Sequence, residues 1–156
     1  MATDVRNLLG ECPLWCERTR RLFWTDIEGS ELLVLQEDSN VVMRWSLPER
    51  LGSFAFTEKT DVLLMGLASG LGFYELSTGI FTAVAASPGE AGTRIGDGRS
   101  DRSGNFVFGT MDDSYPVKVV GKFHRLNAAI HPLESKAPVR RWQARDSQPC
   151  IASVPV

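Results

Sequence analysis

The chain has 156 residues, 43% of them hydrophobic and 23% charged, the composition of one folded domain rather than of a disordered segment. Seventeen basic against nineteen acidic residues leave a formal charge of -2, so no basic excess exists to neutralise nucleic-acid phosphates. The apolar runs at 62–65 and 80–86 are too short to cross a bilayer, the start of the chain near Asp4 and Arg6 carries no apolar leader, and three cysteines make a sparse, odd set. No disulfide framework is expected from such a set, and a reducing cytoplasm is the expected compartment.

In chain order, strands are predicted at 12–15, 21–25, 31–35 and 41–45. They are rich in Val, Leu, Phe, Trp and Thr, with turn chemistry at Glu28-Gly29-Ser30. The same pattern then restarts, with strands at 52–57, 62–66, 72–76 and 80–84, turning at Glu58-Lys59-Thr60-Asp61, Ser69-Gly70 and Ser77-Thr78-Gly79. A third round places strands at 93–99, 105–109, 121–126 and 139–142, with a longer loop between its second and third strands. Helical periodicity is nowhere sustained, and eight prolines and fourteen glycines punctuate the chain.

Trp24, Met65 and Phe108 mark equivalent places in the three rounds, which recur at about 40 to 45 residues, the spacing of a four-stranded β-propeller blade. The reading is an all-β chain, a partial β-propeller domain over 1–156. It supplies about three blades of antiparallel sheet, at 8–50, 51–92 and 93–145, followed by a divergent tail at 146–156. A propeller closes with about four blades or more. Three blades therefore belong to a larger ring, or copies of the chain assemble into one, for which a homodimer is the simplest form.

Few residues carry chemistry. Glu11, in Leu9-Gly10-Glu11-Cys12-Pro13-Leu14-Trp15, sits at the mouth of a strand, where a carboxylate either ligates a hard cation or caps a turn. Arg94, in Thr93-Arg94-Ile95-Gly96-Asp97-Gly98, either grips a hydroxylated or carboxylated ligand through its fork of donors or is solvated. Asp97-Gly98 and Ser103-Gly104 read as hairpin signals; Asp97 caps its turn or binds metal. Asp112 and Asp113 read as surface-loop residues. The two histidines, His124 and His131, lack metal-ligand spacing, and Cys12 and Cys16 read as buried, inert thiols. No nucleophile elbow and no phosphate-cradling loop occurs.

At these residues the sequence resembles the senescence marker protein/gluconolactonase/regucalcin family. The matching stretches are Leu9-Gly10-Glu11-Cys12-Pro13-Leu14-Trp15, Leu22-Phe23-Trp24-Thr25-Asp26-Ile27, Thr93-Arg94 with Asp97-Gly98, and Gly104-Asn105-Phe106-Val107-Phe108-Gly109-Thr110-Met111. They fall in register with the repeat and follow the family's first half over roughly 8–142. The resemblance implies a six-bladed propeller whose axial divalent metal, calcium or zinc among others, serves hydrolysis of sugar lactones to aldonic acids. It matches Glu11 to the family's first metal-ligating glutamate and Arg94 to its substrate-binding arginine.

Three departures accompany the match. Gly96 stands where the family has a substrate-contacting asparagine, and Gln148-Pro149-Cys150-Ile151 stands where a second, asparagine ligand is expected. The third ligand, an aspartate and general base, is expected beyond Val156. The expectation is therefore the N-terminal part of a metal-dependent lactonase, a truncated or frame-shifted chain with weak or no activity by itself. The alternative is a non-catalytic half-propeller that acts as an interaction or assembly module.

Overall fold

The structure, a computed structural model, describes residues 4–39 and 41–127. Eleven strands and no helix occur among the described residues. Strands β1 (Gly10–Cys16), β2 (Arg21–Asp26), β3 (Glu31–Gln36) and β4 (Val42–Ser46) form one antiparallel sheet in sequence order. Strands β5 (Leu51–Phe56), β6 (Val62–Leu67), β7 (Gly70–Glu75) and β8 (Phe81–Ala86) form a second sheet in the same way. Strands β9 (Thr93–Ser100), β10 (Phe106–Asp112) and β11 (Phe123–Leu126) form the third. The strand expected at 139–142 lies outside the described residues, as do His131, the 148–151 stretch and the 146–156 tail.

The second sheet is the middle layer, and strand alternation explains how it serves two interfaces. Successive side chains point to opposite faces. Leu63 and Met65 pack with Phe54 against Phe23, Leu32 and Val34 of the first sheet. Their neighbours Val62 and Leu64 pack with Ala55 and Phe73 against Ile95, Phe106 and Phe108 of the third. Every residue of β6 is consequently buried, which is why it reads as an apolar run rather than an alternation. Phe23, Phe54 and Phe56 add tilted and edge-on ring contacts, with Phe23 and Phe56 centroids 5.1 Å apart.

The first strands β1, β5 and β9 are edge strands of their sheets, and β5 lies against both β1 and β9. The approach of β5 to β9 leaves no room for a side chain at Gly52, whose Cβ would lie 2.4 Å from the Ile95 carbonyl oxygen and 2.7 Å from that of Gly96. Ser53, fully buried next to it, donates its hydroxyl to the Gly96 carbonyl at 2.9 Å. On the other side the buried Thr25 hydroxyl lies 2.9 Å from the Leu51 carbonyl and 3.1 Å from that of Glu31, tying the first sheet to the second.

Two local expectations are corrected. Asp97-Gly98 is no hairpin: both residues lie inside β9, with Gly98 opposite Phe108. A Cβ on Gly98 would meet Phe108 Cβ at 2.7 Å and Ser53 Oγ at 3.0 Å, so close packing rather than a turn demands the glycine. The reversal comes at Asp101–Gly104, where Asp101 Oδ1 accepts the N–H groups of Ser103 and Asn105 and Gly104 takes φ +77. Glu11 is likewise a strand residue, opposite Thr25, followed by a bulge that puts Cys12 at φ 52.

Gly52→Ala is expected to destabilise the protein by about 1–3 kcal/mol, because only backbone can yield. Gly96→Ala, whose Cβ would meet nothing nearer than Met111 Sδ at 3.5 Å, is expected to leave stability within about 0.5 kcal/mol. Urea unfolding of the two variants side by side checks the contrast.

Candidate functional site

In each sheet the beginning of the first strand pairs with the end of the second: Gly10 with Asp26, Leu51 with Leu67, Thr93 with Asp112. Side chains join these three ends into one surface. Arg50, just before β5, faces Glu28 after β2 at 3.6 Å and hydrogen-bonds Asp113 after β10. Glu11 and Arg94 both belong to this end, on β1 and β9 with β5 between them. Glu11 is exposed and Arg94 is buried, at 8% exposure.

Arg94 donates from one Nη to the Ile95 carbonyl at 3.2 Å. Its Nε lies 3.3 Å from Asp113 Oδ1, within ion-pair reach but without an aligned hydrogen bond. The other Asp113 oxygen accepts from Arg50, and that bond, against the opposing pull of burial, holds the Arg50 guanidinium above its ordinary range. The Asp113 N–H donates to the Gly92 carbonyl at 2.8 Å, closing the mouth of the β9–β10 pair.

Asp113 is therefore no ordinary surface-loop residue, and neither is Asp112. The buried Asp112 carboxylate accepts the Ser114 hydroxyl at 2.7 Å and the backbone N–H groups of Ser114 and Lys118. The Ser114 hydroxyl first, then the Lys118 N–H, keep that carboxyl below the usual carboxylate range. Two adjacent aspartates thus divide the work. Asp112 folds the loop onto the end of β10, and Asp113 turns to the arginines.

Glu11 is delivered by the segment before it. Burial pushes the Asp26 carboxyl up, but the N–H groups of Leu9, Leu8 and Gly29 and the Asn7 amide outweigh burial and hold it down. Trp24 donates its indole N–H to Asn7 Oδ1 at 3.1 Å, and the Ile27 N–H bonds the Leu9 carbonyl. The Phe23-Trp24-Thr25-Asp26-Ile27 stretch is thereby explained residue by residue: Phe23 for the core, Trp24 and Asp26 for the strap, Thr25 for the second sheet. Sequence reasoning missed Asp26 and Asn7. An aspartate closing a strand just before a Glu-Gly turn was the available signal.

Cys12, Cys16 and His124 are packed into the sheets. Cys12 and Cys16 are buried free thiols, and burial pushes the Cys12 thiol up. His124 stacks on Phe108 at 5.5 Å, its Nε2 lies 3.4 Å from the Thr110 hydroxyl, and burial followed by Lys122 pushes it down toward the neutral form. Asp97 is exposed and accepts its neighbour Gly98 N–H. No group of three His, Cys, Asp or Glu that could hold a metal converges among the described residues. Glu11 supplies one oxygen-donor side chain, and these residues do not by themselves make a metal centre. No helix among them is long and apolar enough to cross a membrane.

Consecutive antiparallel sheets, meeting at their first strands around a charged end, define the blades of a β-propeller. The chain belongs to the SMP-30/Gluconolactonase/LRE-like family, whose model matches residues 9–139. It is 48% identical over 131 residues to an L-arabinolactonase of Azospirillum brasilense, covering 83% of this chain and 44% of that protein. It is 34% identical over 106 residues to a 6-deoxy-6-sulfogluconolactonase of Pseudomonas putida, covering 67% and 36%. In structure it matches a calcium-binding protein, regucalcin, of Agrobacterium tumefaciens with a TM-score of 0.72 at 26% identity, covering 78% of this chain and 41% of the other. The fold is that of the family's six-bladed propellers. The chain spans less than half the length of these relatives.

Asp26→Asn is expected to lower stability at pH 7 by about 1–3 kcal/mol, since it weakens a buried acceptor of several N–H groups. The folded carboxyl titrates below its ordinary 3.8. Its contribution is complete above that value and is lost as pH falls through the folded one. The variant should therefore lose less stability than the parent between pH 7 and pH 3, as urea titrations at the two pH values would reveal.

Proposed function

We propose that the chain is the N-terminal part of a sugar lactonase, which hydrolyses an aldonolactone to its aldonic acid. In that reaction water adds to the lactone carbonyl carbon and the bond to the ring oxygen breaks. The ring oxygen takes a proton to become a hydroxyl, and the product leaves as a carboxylate. Arg94 is the lactone-holding group. The observation that carries the reading is a buried guanidinium on the inner strand β9, at the end shared by three blades and engaged by few protein acceptors. A planar fork of donors in such a place suits a ring bearing a carbonyl and several hydroxyls. The likeness to an L-arabinolactonase over most of the chain supports the same class of substrate.

Glu11 is proposed as one ligand of a divalent cation, calcium or zinc, that polarises the lactone carbonyl when bound. Its co-ligands and the general base then come from outside the described residues. The match to less than half the length of each relative supports a second part of the proposal. The 156-residue chain by itself turns lactones over slowly, and further blades, from a longer chain or a second copy in a homodimer, complete the ring.

Assay of L-arabinono-1,4-lactone hydrolysis in the complete propeller tests the reading. Arg94→Gln should reduce kcat/KM by about 100-fold, the scale of a lost substrate-orienting contact. Glu11→Gln should abolish the dependence on added calcium or zinc. Full turnover by both variants would remove Arg94 and Glu11 from the site, and brisk turnover by the 156-residue chain would remove the need for further blades.

A further inference from the structure

We propose that Asp113 is the positioning residue of Arg94, setting the orientation of the guanidinium from which a lactone is held. The proposal rests on the reading of Arg94 as the lactone-holding group. Among the described residues Arg94 has two partners: the carbonyl of its own neighbour Ile95, which turns with the strand, and the Asp113 carboxylate. Of these, Asp113 is the side chain that can steer it.

Asp113 is itself fixed through its backbone. Its N–H is bonded to the Gly92 carbonyl, and Asp112 beside it pins the following loop through Ser114 and Lys118. A short side chain on a backbone held this way is a fixed reference point for Arg94 whether or not its Oδ2 also accepts from Arg50. The bonding is unequal: Arg50 has the aligned hydrogen bond, while Arg94 Nε has only an unaligned ion pair at 3.3 Å. Asp113 therefore directs Arg94 by charge and position without a bidentate lock, which would engage two of its five N–H groups.

Charge accounting separates this from the obvious rival. Arg50 and Arg94 with Asp113 and Glu28 balance two positive against two negative charges. The cluster is not an anion trap. A purely structural staple between blades is the remaining rival, and Arg50 separates it from positioning. Arg50 joins Glu28 of the first sheet's end to Asp113 of the third's, so removing Arg50 breaks the staple and leaves the Asp113–Arg94 pair.

The test follows the Arg94 Nε–H NMR resonance of the 156-residue chain (assigned by its loss in Arg94→Lys) and titrates the complete propeller with L-arabinono-1,4-lactone. Asp113→Asn should shift the Arg94 resonance and weaken lactone binding about tenfold, whereas Arg50→Met should change binding by less than about twofold. Asp113→Glu, which keeps the charge for Arg50 but moves the carboxylate, should also shift the resonance, and serves if the asparagine variant fails to fold. An unmoved Arg94 resonance in the Asp113 variants overturns the proposal. So does Arg50→Met weakening binding as much as Asp113→Asn, which makes Asp113 a staple. Absence of lactone binding by the complete propeller, or binding there indifferent to Arg94→Lys, defeats the lactonase reading instead, and the resonance still decides whether Asp113 orients Arg94.

Discussion

The approach of β5 to β9 is the constraint on which the rest depends. Two neighbouring first strands come together so closely that a methyl group at Gly52 would penetrate the Ile95 carbonyl, and one at Gly98 would strike Phe108 and Ser53. Wedge-shaped blades need this at the axis, where sheets converge, and tolerate larger side chains further out, where they splay. The apolar residues follow that gradient. Phe23, Phe73, Phe106 and Phe108 fill the spaces between sheets, while the inner strands carry glycine and serine where they touch.

Hydrophobic burial alone would let the sheets slide, because it has no direction. Single polar atoms set their register. Thr25 reaches the Leu51 carbonyl, Ser53 reaches the Gly96 carbonyl, and Trp45 donates its indole N–H to the Leu76 carbonyl at 3.0 Å. Arg18 bonds the carbonyls of Thr57 and Glu58 from the opposite end of the first sheet. Each is a bond to backbone, so each fixes a side chain of one sheet against the chain path of its neighbour. Unmade, the buried bonds of Thr25 and Ser53 cost about 1–3 kcal/mol apiece. A shifted packing of the same apolar surfaces would forfeit several at once.

Much of this was legible because it is periodic. Strand composition and the recurrence of Trp24, Met65 and Phe108 depend on local rules, and the sheets follow them. Asp97-Gly98 misled because the same dipeptide serves a tight turn and a tight strand crossing, and only the neighbouring sheet tells which. Asp113 escaped for a related reason. Its partners, Arg50 and Arg94, come from different blades, and an aspartate at a strand end looks the same in sequence whether it faces water or two guanidiniums. Residue type alone left Glu11 between cation ligand and turn cap and Arg94 between ligand grip and solvated end; the family resemblance is what favoured the first reading of each. Position on the inner strand gives them meaning, and position is a property of the ring.

A propeller divides its axial site among blades, each lending one or two side chains from its inner strand and the loops beside it. In the proposed site the first sheet lends Glu11, the second offers Gly52 and Ser53, and the third lends Arg94 with Asp113 behind it. The second blade's small residues are the consequence of the packing constraint: a strand squeezed between two others has no room for a ligand-bearing side chain at Gly52. Function is thereby pushed to the blades on either side, and a site needing several converging donors has to draw on blades across the axis. On that proposal the orienting group and its carboxylate both come from the third blade and its loop, whereas the donors around Glu11 come from beyond the described residues. The two halves of a lactonase's task, orientation and activation, thus place different demands on how much of the propeller is present.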